Sequence, residues 1–485
     1  MVEIFIDGDP VQAEDGQTVM QAARASGHVI PYFCWHPALS VPGNCRVCMV
    51  EIEGDGKAAG WLDIACNMPV AKGMRVLTDS ERVRSRRKEI LQLQTLNHPV
   101  DCGICDKAGE CTLQDYHYQY NGAASVSRDA KIHATKHHAL SDRIVLDNER
   151  CILCSRCVRF THEISKSHAL GIQNRGDHSL VRAVEDGAFD RDPYSDNVID
   201  ICPVGALLSR SHLHGARVWY LKPTASICPG CERGCNIDIW HRRSEWKLNR
   251  VDASSNARID RVTPRENPAV NGLWTCNKAR DLATIFERPR ATSALERGRA
   301  VPLDQATLRA RGLIAEARRP VALVSSWGSN EELEAFHAAF GKRVECYVKT
   351  DWLPVPGERV EDDILIKPDK NPNRAAARAL YPALPADARA ALAGCDLVLV
   401  WGEGCDFARL PAGARVVHLD SWQRPTNAHV DVFLPISVQT ERSGHYTNFA
   451  GVVSNFEACF DRPAGVADAQ ALFAALAIPA PVPVS

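Results

Sequence analysis

Nineteen cysteines in a chain of 485 residues point to metal chemistry, and their spacing divides them unevenly. Fifteen lie between Cys34 and Cys276, whereas Cys346, Cys395, Cys405 and Cys459 are scattered beyond them with no thiol two or three residues away. Those four read as ordinary buried thiols. A thiolate is a soft, anionic metal ligand, and in a reducing compartment closely spaced cysteines bind metal rather than pair as disulfides. The fifteen form four sets: Cys34, Cys45, Cys48 and Cys66; Cys102, Cys105 and Cys111; Cys151, Cys154, Cys157 and Cys202; and Cys228, Cys231, Cys235 and Cys276. The second set has only three thiols. His98, four residues upstream, supplies the missing ligand, because Pro99 halts the preceding helix and lets the chain turn around the site. Sixteen ligands then make four sites of four, with none left over.

Spacing weighs iron-sulfur clusters against zinc. In the first set ten, two and seventeen residues separate successive members, which resembles the plant-type 2Fe-2S ferredoxin pattern with a longer first loop. A zinc knuckle prefers two short C-x2-C pairs. Gly43, just before Cys45, is expected to let the loop backbone approach the cluster. In the third set two consecutive two-residue gaps are followed forty-five residues later by Cys202-Pro203. That reads as a bacterial two-cluster ferredoxin module that keeps one 4Fe-4S cluster. Spacing alone leaves zinc open for the fourth set, and the company it keeps argues for iron. Neutral imidazole in place of thiolate makes the second cluster less negative and raises its potential.

Elements must position these ligands. Val2 to Ile6, the turn Asp7-Gly8-Asp9-Pro10 and Val11 to Ala13 read as a hairpin, followed by a helix from Thr18 to Gly27. A second turn at Asp55-Gly56 delivers Cys66, and an apolar-periodic helix from Glu81 (Ile90, Leu91, Leu93, Leu96) leads to His98. Arg82, Arg84, Arg86, Arg87 and Lys88 are expected on its solvent or subunit-contact face. His133, His137 and His138, among Lys131 and Lys136, read as a solvated loop. The C-terminal part is α/β with a parallel sheet expected: strands at 321–324, 344–348, 397–401, 416–419 and 430–434, and a helix capped by Asn330 and closed at Gly341. Gly402-Glu-Gly404 fails as a dinucleotide fingerprint, since its third glycine would fall at Phe407.

Composition narrows the function classes. Lys and Arg number 57 against 59 Asp and Glu, so no basic surface marks a nucleic-acid partner. Length suggests three to five domains at about 100–200 residues each. No apolar run approaches the roughly 18–20 residues of a spanning helix; the longest, 471–478, is cut by Pro479, Pro481 and Pro483. The opening residues have neither secretory-signal nor transit-peptide character, so a bacterial or already processed chain is expected, with membrane association only through partners.

The motifs resemble the large iron-sulfur subunit family of respiratory complex I, the NADH:quinone oxidoreductase. Pro31-Tyr-Phe-Cys34-Trp with Gly43-Asn-Cys45-Arg46-Val-Cys48, Cys102-Gly-Ile-Cys105-Asp with Cys111-Thr-Leu-Gln114, and Arg150-Cys151 through Cys157-Val-Arg-Phe160 carry the resemblance over residues 1–285. Gly103 departs from the usual proline. From about residue 216 the chain also resembles the start of a molybdopterin oxidoreductase, with Lys278 in the place of the lysine that links cluster to pterin and Ala279 where glycine is usual. Phe433-Leu-Pro, Glu441 and Gly444 to Gly451 resemble a later segment of the same domains.

The resemblance implies a multidomain α+β and α/β chain. Its parts are a β-grasp 2Fe-2S ferredoxin-type domain (1–78), a helical segment with a one-His, three-Cys 4Fe-4S cluster (79–118), a 4Fe-4S ferredoxin-like domain (119–215), a molybdopterin-oxidoreductase-type 4Fe-4S domain (216–285) and a truncated, degenerate α/β molybdopterin-domain remnant (286–485). It implies one 2Fe-2S and three 4Fe-4S clusters, with no molybdenum cofactor, FMN or NAD. The implied function is electron relay from a flavin, NADH-binding subunit toward downstream ferredoxin-like and quinone-site subunits, on the cytoplasmic side of the bacterial inner membrane. The alternatives are the iron-sulfur subunit of an NAD-linked hydrogenase or formate dehydrogenase and, from another class, a zinc-stabilised structural scaffold. Replacing His98 by Cys should keep a cluster but lower its potential, because thiolate adds negative charge. Redox-titrated EPR reads this, and an unchanged midpoint would remove His98 from the ligands.

Overall fold

Asp7 and Gly8 both have positive φ, 52° and 97°, as a two-residue hairpin turn requires. They join β1 (Val2–Ile6) to β2 (Asp9–Ala13). Asp9 and Pro10, expected in the turn, therefore belong to the second strand, and Pro10 is tolerated because β2 is an edge strand. This computed structural model describes residues 1–54, 57–136, 138–242 and 258–478. The expected Asp55-Gly56 turn, His137, Pro479, Pro481 and Pro483 lie outside the described residues. The chain divides into two units, Met1–Tyr220 and Leu221–Ser485.

In the first unit, α1 (Val19–Ala25) is opened by a capping box: Thr18 Oγ1 accepts from Gln21 N at 3.3 Å while Gln21 Oε1 accepts from Thr18 N at 2.9 Å. Strands β3 (Met49–Gly54), β4 (Lys57–Ile64) and β5 (Arg75–Leu77) complete a sheet of order β2-β1-β5-β3-β4, in which β1 and β5 run parallel. Ile4, Ile6, Val50, Ile52 and Val76 pack against Val19 and Met20, and Cys48 and Cys66 share this core.

Helix α2 (Glu81–Thr95) corrects one expectation. Arg87 is not on a solvent face. It is 2% exposed, donates from Nη2 to Met49 O and Thr78 O at 3.2 and 3.1 Å, and lies over the Tyr120 ring. Val83, Arg87 and Leu91 recur every four residues and form the buried stripe, which leaves Leu93 outside. The remainder of the unit is short: α3 (Thr112–Tyr116), β6 (His138–Ala139), β7 (Ile144–Leu146), α4 (Arg156–Glu163), β8 (Leu170–Gln173), β9 (Leu180–Ala183), α5 (Asn197–Ile201) and β10 (Leu207–Ser209). Strands β10, β7 and β6 form one antiparallel sheet, and β8 pairs with β9.

The second unit opens with the antiparallel β11 (Leu221–Ile227), β12 (Asn236–Arg242) and β13 (Arg261–Pro264), then α6 (Leu282–Phe286). An α/β layer follows: β14 (Ala294–Glu296), β15 (Arg299–Val301), α7 (Leu303–Glu316), β16 (Pro320–Val324), α8 (Asn330–Phe340), β17 (Glu345–Val348), α9 (Arg374–Leu380), α10 (Ala388–Ala391), β18 (Leu397–Trp401), β19 (Arg415–Asp420) and β20 (Val432–Pro435). The hairpin β21 (Gly444–Thr447) and β22 (Val453–Phe456) and helix α11 (Ala469–Leu476) end it. The seven-stranded sheet has order β15-β14-β20-β19-β18-β16-β17, and β16 to β20 run parallel, as the apolar runs predict. Phe336 of α8 stacks on Trp401 at 5.2 Å in its core. The cap of α8 is Ser329, not Asn330: Ser329 Oγ accepts from Glu332 N while Glu332 accepts from Ser329 N. Among the described residues no helix is long and apolar enough to cross a membrane.

Candidate metal centres

Register builds the first set. Strands β3 and β4 pair with Met49 opposite Ile64, and Ala65 N donates to Cys48 O at 3.0 Å, so Cys48 and Cys66 meet at the hairpin's open end. Cys34 N donates to Cys45 Sγ at 3.5 Å, and all four thiols are buried. The hydrogen bond from Cys45 pulls the Cys34 thiol down to about 6. The bonds to Cys34 and Cys66 push Cys45 and Cys48 well up. Four sulfurs this crowded and dry cannot all ionise unless a metal takes their charge. Gly43 sits at φ 62°, and a Cβ there would lie 3.0 Å from Ile64 Cδ1. A side chain at this position would press on Ile64 as well as strain the backbone, so glycine suits it.

In the third set the loop into α4 winds sharply, with Leu153 and Ser155 at φ 49° and 59°. Such left-handed non-glycine residues cost energy and persist at functional sites. Their effect is to turn Cys151, Cys154 and Cys157 inward to face Cys202, which follows α5. All four line one cavity, whose remaining walls include Leu146, Val181, Val204 and Leu207. Burial pushes Cys151 up to about 12 and Cys154 up to about 11. Leu153 N points at Cys151 Sγ from 3.4 Å, as amides do around cluster sulfurs.

Helix α2 ends at Thr95, three residues before His98. The Nδ1 atom of His98 is buried and has no hydrogen-bond partner, and burial holds the imidazole neutral, its pKa lowered to about 4. A neutral ring with an open nitrogen is the ligating form. In the second set Cys105 and Cys111 are buried and Cys102 is exposed; Cys102 faces Cys105, and Cys105 faces Cys111. The charged groups facing His98 are Asp101, Arg150, Lys131 and Asp147.

The β11–β12 turn carries Cys228, Cys231 and Cys235, and Cys276 starts a helical turn at 277–279. Cys235 faces the other three thiols, and burial pushes it well up and Cys276 up to about 11. Gly230 N points at Cys228 Sγ from 3.4 Å. The stem of Lys278 packs over Gly230, where a Cβ would meet Lys278 Cδ at 3.2 Å, and its Nζ pairs with Glu358 at 2.7 Å. Among the described residues no three His, Cys, Asp or Glu side chains converge closely enough for a single ion. The ligand pattern, rather than a preformed ion cavity, is what points to metal.

Two features of this region are not legible from ligand spacing. Arg150 is buried, pairs with Asp101 at 2.7 Å and Asp147 at 3.2 Å, and donates to Gly205 O at 3.5 Å. A Cβ on Gly205 would collide with Cys105 Sγ, so the loop after Cys202 lies directly against the second set. A glycine two residues past the Cys202-Pro203 pair was the available signal. Of the lone cysteines, Cys346 and Cys395 are buried and Cys405 and Cys459 partly so. His133 is exposed and bonds Glu149 at 2.8 Å. Gly402 and Gly404 have positive φ and leave room for Ser325, Thr350 and Asp351, a packing role.

Four family models match in succession: the 2Fe-2S iron-sulfur cluster binding domain over residues 1–81; the NADH-ubiquinone oxidoreductase-G iron-sulfur binding region over 87–124; the ferredoxin-like domain of NADH-quinone oxidoreductase subunit 3 over 141–208; and the molybdopterin oxidoreductase Fe4S4 domain over 221–287. The NADH-quinone oxidoreductase G subunits of Rickettsia prowazekii and Rickettsia typhi are each 38% identical over 280 residues. That stretch is 58% of this chain and 39% of each relative, so well under two thirds of the relatives' length is spanned. A chain of an NAD+-reducing NiFe-hydrogenase aligns at TM-score 0.39 and 30% identity over 45% of this chain and 91% of that one. The resemblance read from the cysteine motifs is borne out, and iron-sulfur ferredoxin-like and molybdopterin-oxidoreductase Fe4S4 domains are present in a mixed α/β chain.

Gly205→Ala should displace Cys105 and empty the second set. Iron and acid-labile sulfide would each fall by about four per chain; unchanged iron would separate Gly205 from that site.

Proposed function

We propose that this chain is an electron-transfer subunit of an NADH:quinone oxidoreductase of the complex I type, taking electrons from a flavin, NADH-binding subunit and passing them toward quinone. The observation that carries the reading is the succession of cysteine sets, most of their thiols buried, on a chain whose residues 87–124 and 141–208 match iron-sulfur domains of NADH-quinone oxidoreductase and whose residues 1–81 and 221–287 match a 2Fe-2S and a molybdopterin oxidoreductase Fe4S4 domain. The ligands would be Cys34, Cys45, Cys48 and Cys66 for a 2Fe-2S cluster. For three 4Fe-4S clusters they would be His98, Cys102, Cys105 and Cys111; Cys151, Cys154, Cys157 and Cys202; and Cys228, Cys231, Cys235 and Cys276. Such clusters accept and release single electrons without making or breaking bonds to carbon.

The chain's own work is to hold sulfurs, exclude water and keep the sets close. Leu146, Val181 and Leu207 wall the third set, and Gly205 brings its loop against Cys105 of the second. Thr112 N donates to Pro203 O at 3.0 Å and ties the helix after Cys111 to the Cys202 loop. The five segments bounded at 78, 118, 215 and 285, the last a degenerate molybdopterin-domain remnant with a structural role, are part of the same proposal. So are docking through partner subunits, including ferredoxin-like and quinone-site subunits, and a position on the cytoplasmic face of the membrane.

Cys154→Ser in the intact complex tests this. Quinone reduction by NADH should be abolished while NADH-ferricyanide reductase activity, which needs only the flavin subunit, persists. Quinone reduction surviving the loss of that cluster would overturn the role. Co-purification with a nickel subunit and hydrogen-dependent NAD+ reduction would reassign the chain to a hydrogenase.

A further inference from the structure

Two arginines of α4 lie between the first and third sets, and most of their hydrogen bonds go to the backbone of the ligands or of residues beside them. Arg159 Nη2 donates to Cys34 O and, at 3.3 Å, to Cys154 O, while its Nη1 donates to Ser40 O. Arg156 Nη2 donates to Trp35 O at 2.7 Å and its Nη1 to Ile201 O at 3.0 Å. Trp35 directly follows Cys34, and Ile201 directly precedes Cys202. Asn44 Nδ2, donating to Leu153 O at 3.3 Å, and Glu163, accepting from Ser40 N at 2.8 Å, complete the seam.

Carbonyl oxygens would be satisfied by neutral donors, so the use of two cations needs a reason. Burying a guanidinium is costly without an anion. Of the other arginines of this unit, buried Arg150 pairs with Asp101 and Asp147 and half-buried Arg143 with Asp196, whereas buried Arg87 bonds only the carbonyls of Met49 and Thr78, outside that seam. Among the described residues no ion pair joins Arg156 or Arg159 to a carboxylate. The anionic groups facing Arg159 are Cys154, Cys34 and Glu163, two of them sulfur ligands of the two sets. A thiolate-held cluster is itself anionic and gains one more negative charge on reduction, so a cation lodged between two cages stabilises the reduced form of both.

We propose that Arg156 and Arg159 are positioning residues whose positive charge is shared by the first and third sets, raising both reduction potentials in step and fixing the span between the two cages. This rests on the reading that both sets hold iron-sulfur clusters. The test is redox-titrated EPR with iron and sulfide analysis on the complex carrying Arg159→Gln, Arg159→Lys or Ser40→Ala. Arg159→Gln should retain its iron and lower the midpoints of both clusters, by roughly tenfold in the reduction equilibrium, about 59 mV for one electron. Arg159→Lys keeps the charge and should keep both midpoints near those of the unaltered protein. Ser40→Ala removes the bond that Ser40 Oγ donates to Glu163 in the same seam but no charge, and should move neither.

Full iron with both midpoints unmoved in Arg159→Gln overturns the proposal, as does a shift in one cluster alone. Equal shifts in the Gln and Lys variants reduce the arginine to a structural role and overturn it too. Should Arg159→Gln lose iron, Arg159→Lys decides: full iron with unshifted midpoints supports the shared charge, and lowered midpoints contradict it. Absence of both signals from the unaltered complex would instead overturn the cluster reading on which the proposal stands.

Discussion

Sulfur ligands can be gathered in a dry interior only if a metal takes up their negative charge, and the first unit is organised around that constraint. In the second, third and fourth sets burial pushes cysteine thiols upward, with Cys157 and Cys235 well above their ordinary value. Left alone, such groups stay protonated and crowd one another. With metal bound, the binding free energy becomes folding free energy. That matters most between residues 97 and 210, where the strands are two to four residues long and offer little sheet of their own.

The loops that carry the ligands are tied to one another rather than to a large common sheet. Arg156 and Arg159 join the loop of the first set to that of the third, Gly205 lets the third meet the second, and the Arg150–Asp101 pair faces His98. Each tie uses backbone carbonyls or buried ion pairs, which fix distance as well as contact. Electron transfer needs such fixed, dry separations and no substrate pocket. The α/β layer is built differently, with β16 and β18 buried along their whole length beneath α8 and α11. Its stability comes from apolar packing, so it can persist whatever its own ligand chemistry.

Most of what repeats or alternates was legible in the sequence. Ligand spacing gave the four sets, and runs such as Leu397 to Trp401 gave the parallel strands, because both are local patterns. What escaped was long-range. Arg87 looks like one of five basic surface residues until α2 packs its Val83–Arg87–Leu91 stripe against β3. Asp9 and Pro10 read as turn residues because proline is rare in strands, a preference that an edge position relaxes. The cap of α8 moved by one residue because Ser329 and Asn330 both cap well and only the Glu332 partner chooses between them. The arginines of α4 sit inside a recognised motif, but that their bonds run to Trp35 and Ile201 is a fact of tertiary structure.

Counting metal and sulfide tests the central claim most directly. On anaerobically purified chain, one 2Fe-2S and three 4Fe-4S clusters predict about 14 iron and about 14 sulfide per chain, without molybdenum, and several distinct EPR signals on reduction. About 10 iron with one zinc would leave three clusters and make the fourth set structural. Zinc throughout, with no sulfide and no visible absorbance, would contradict the account.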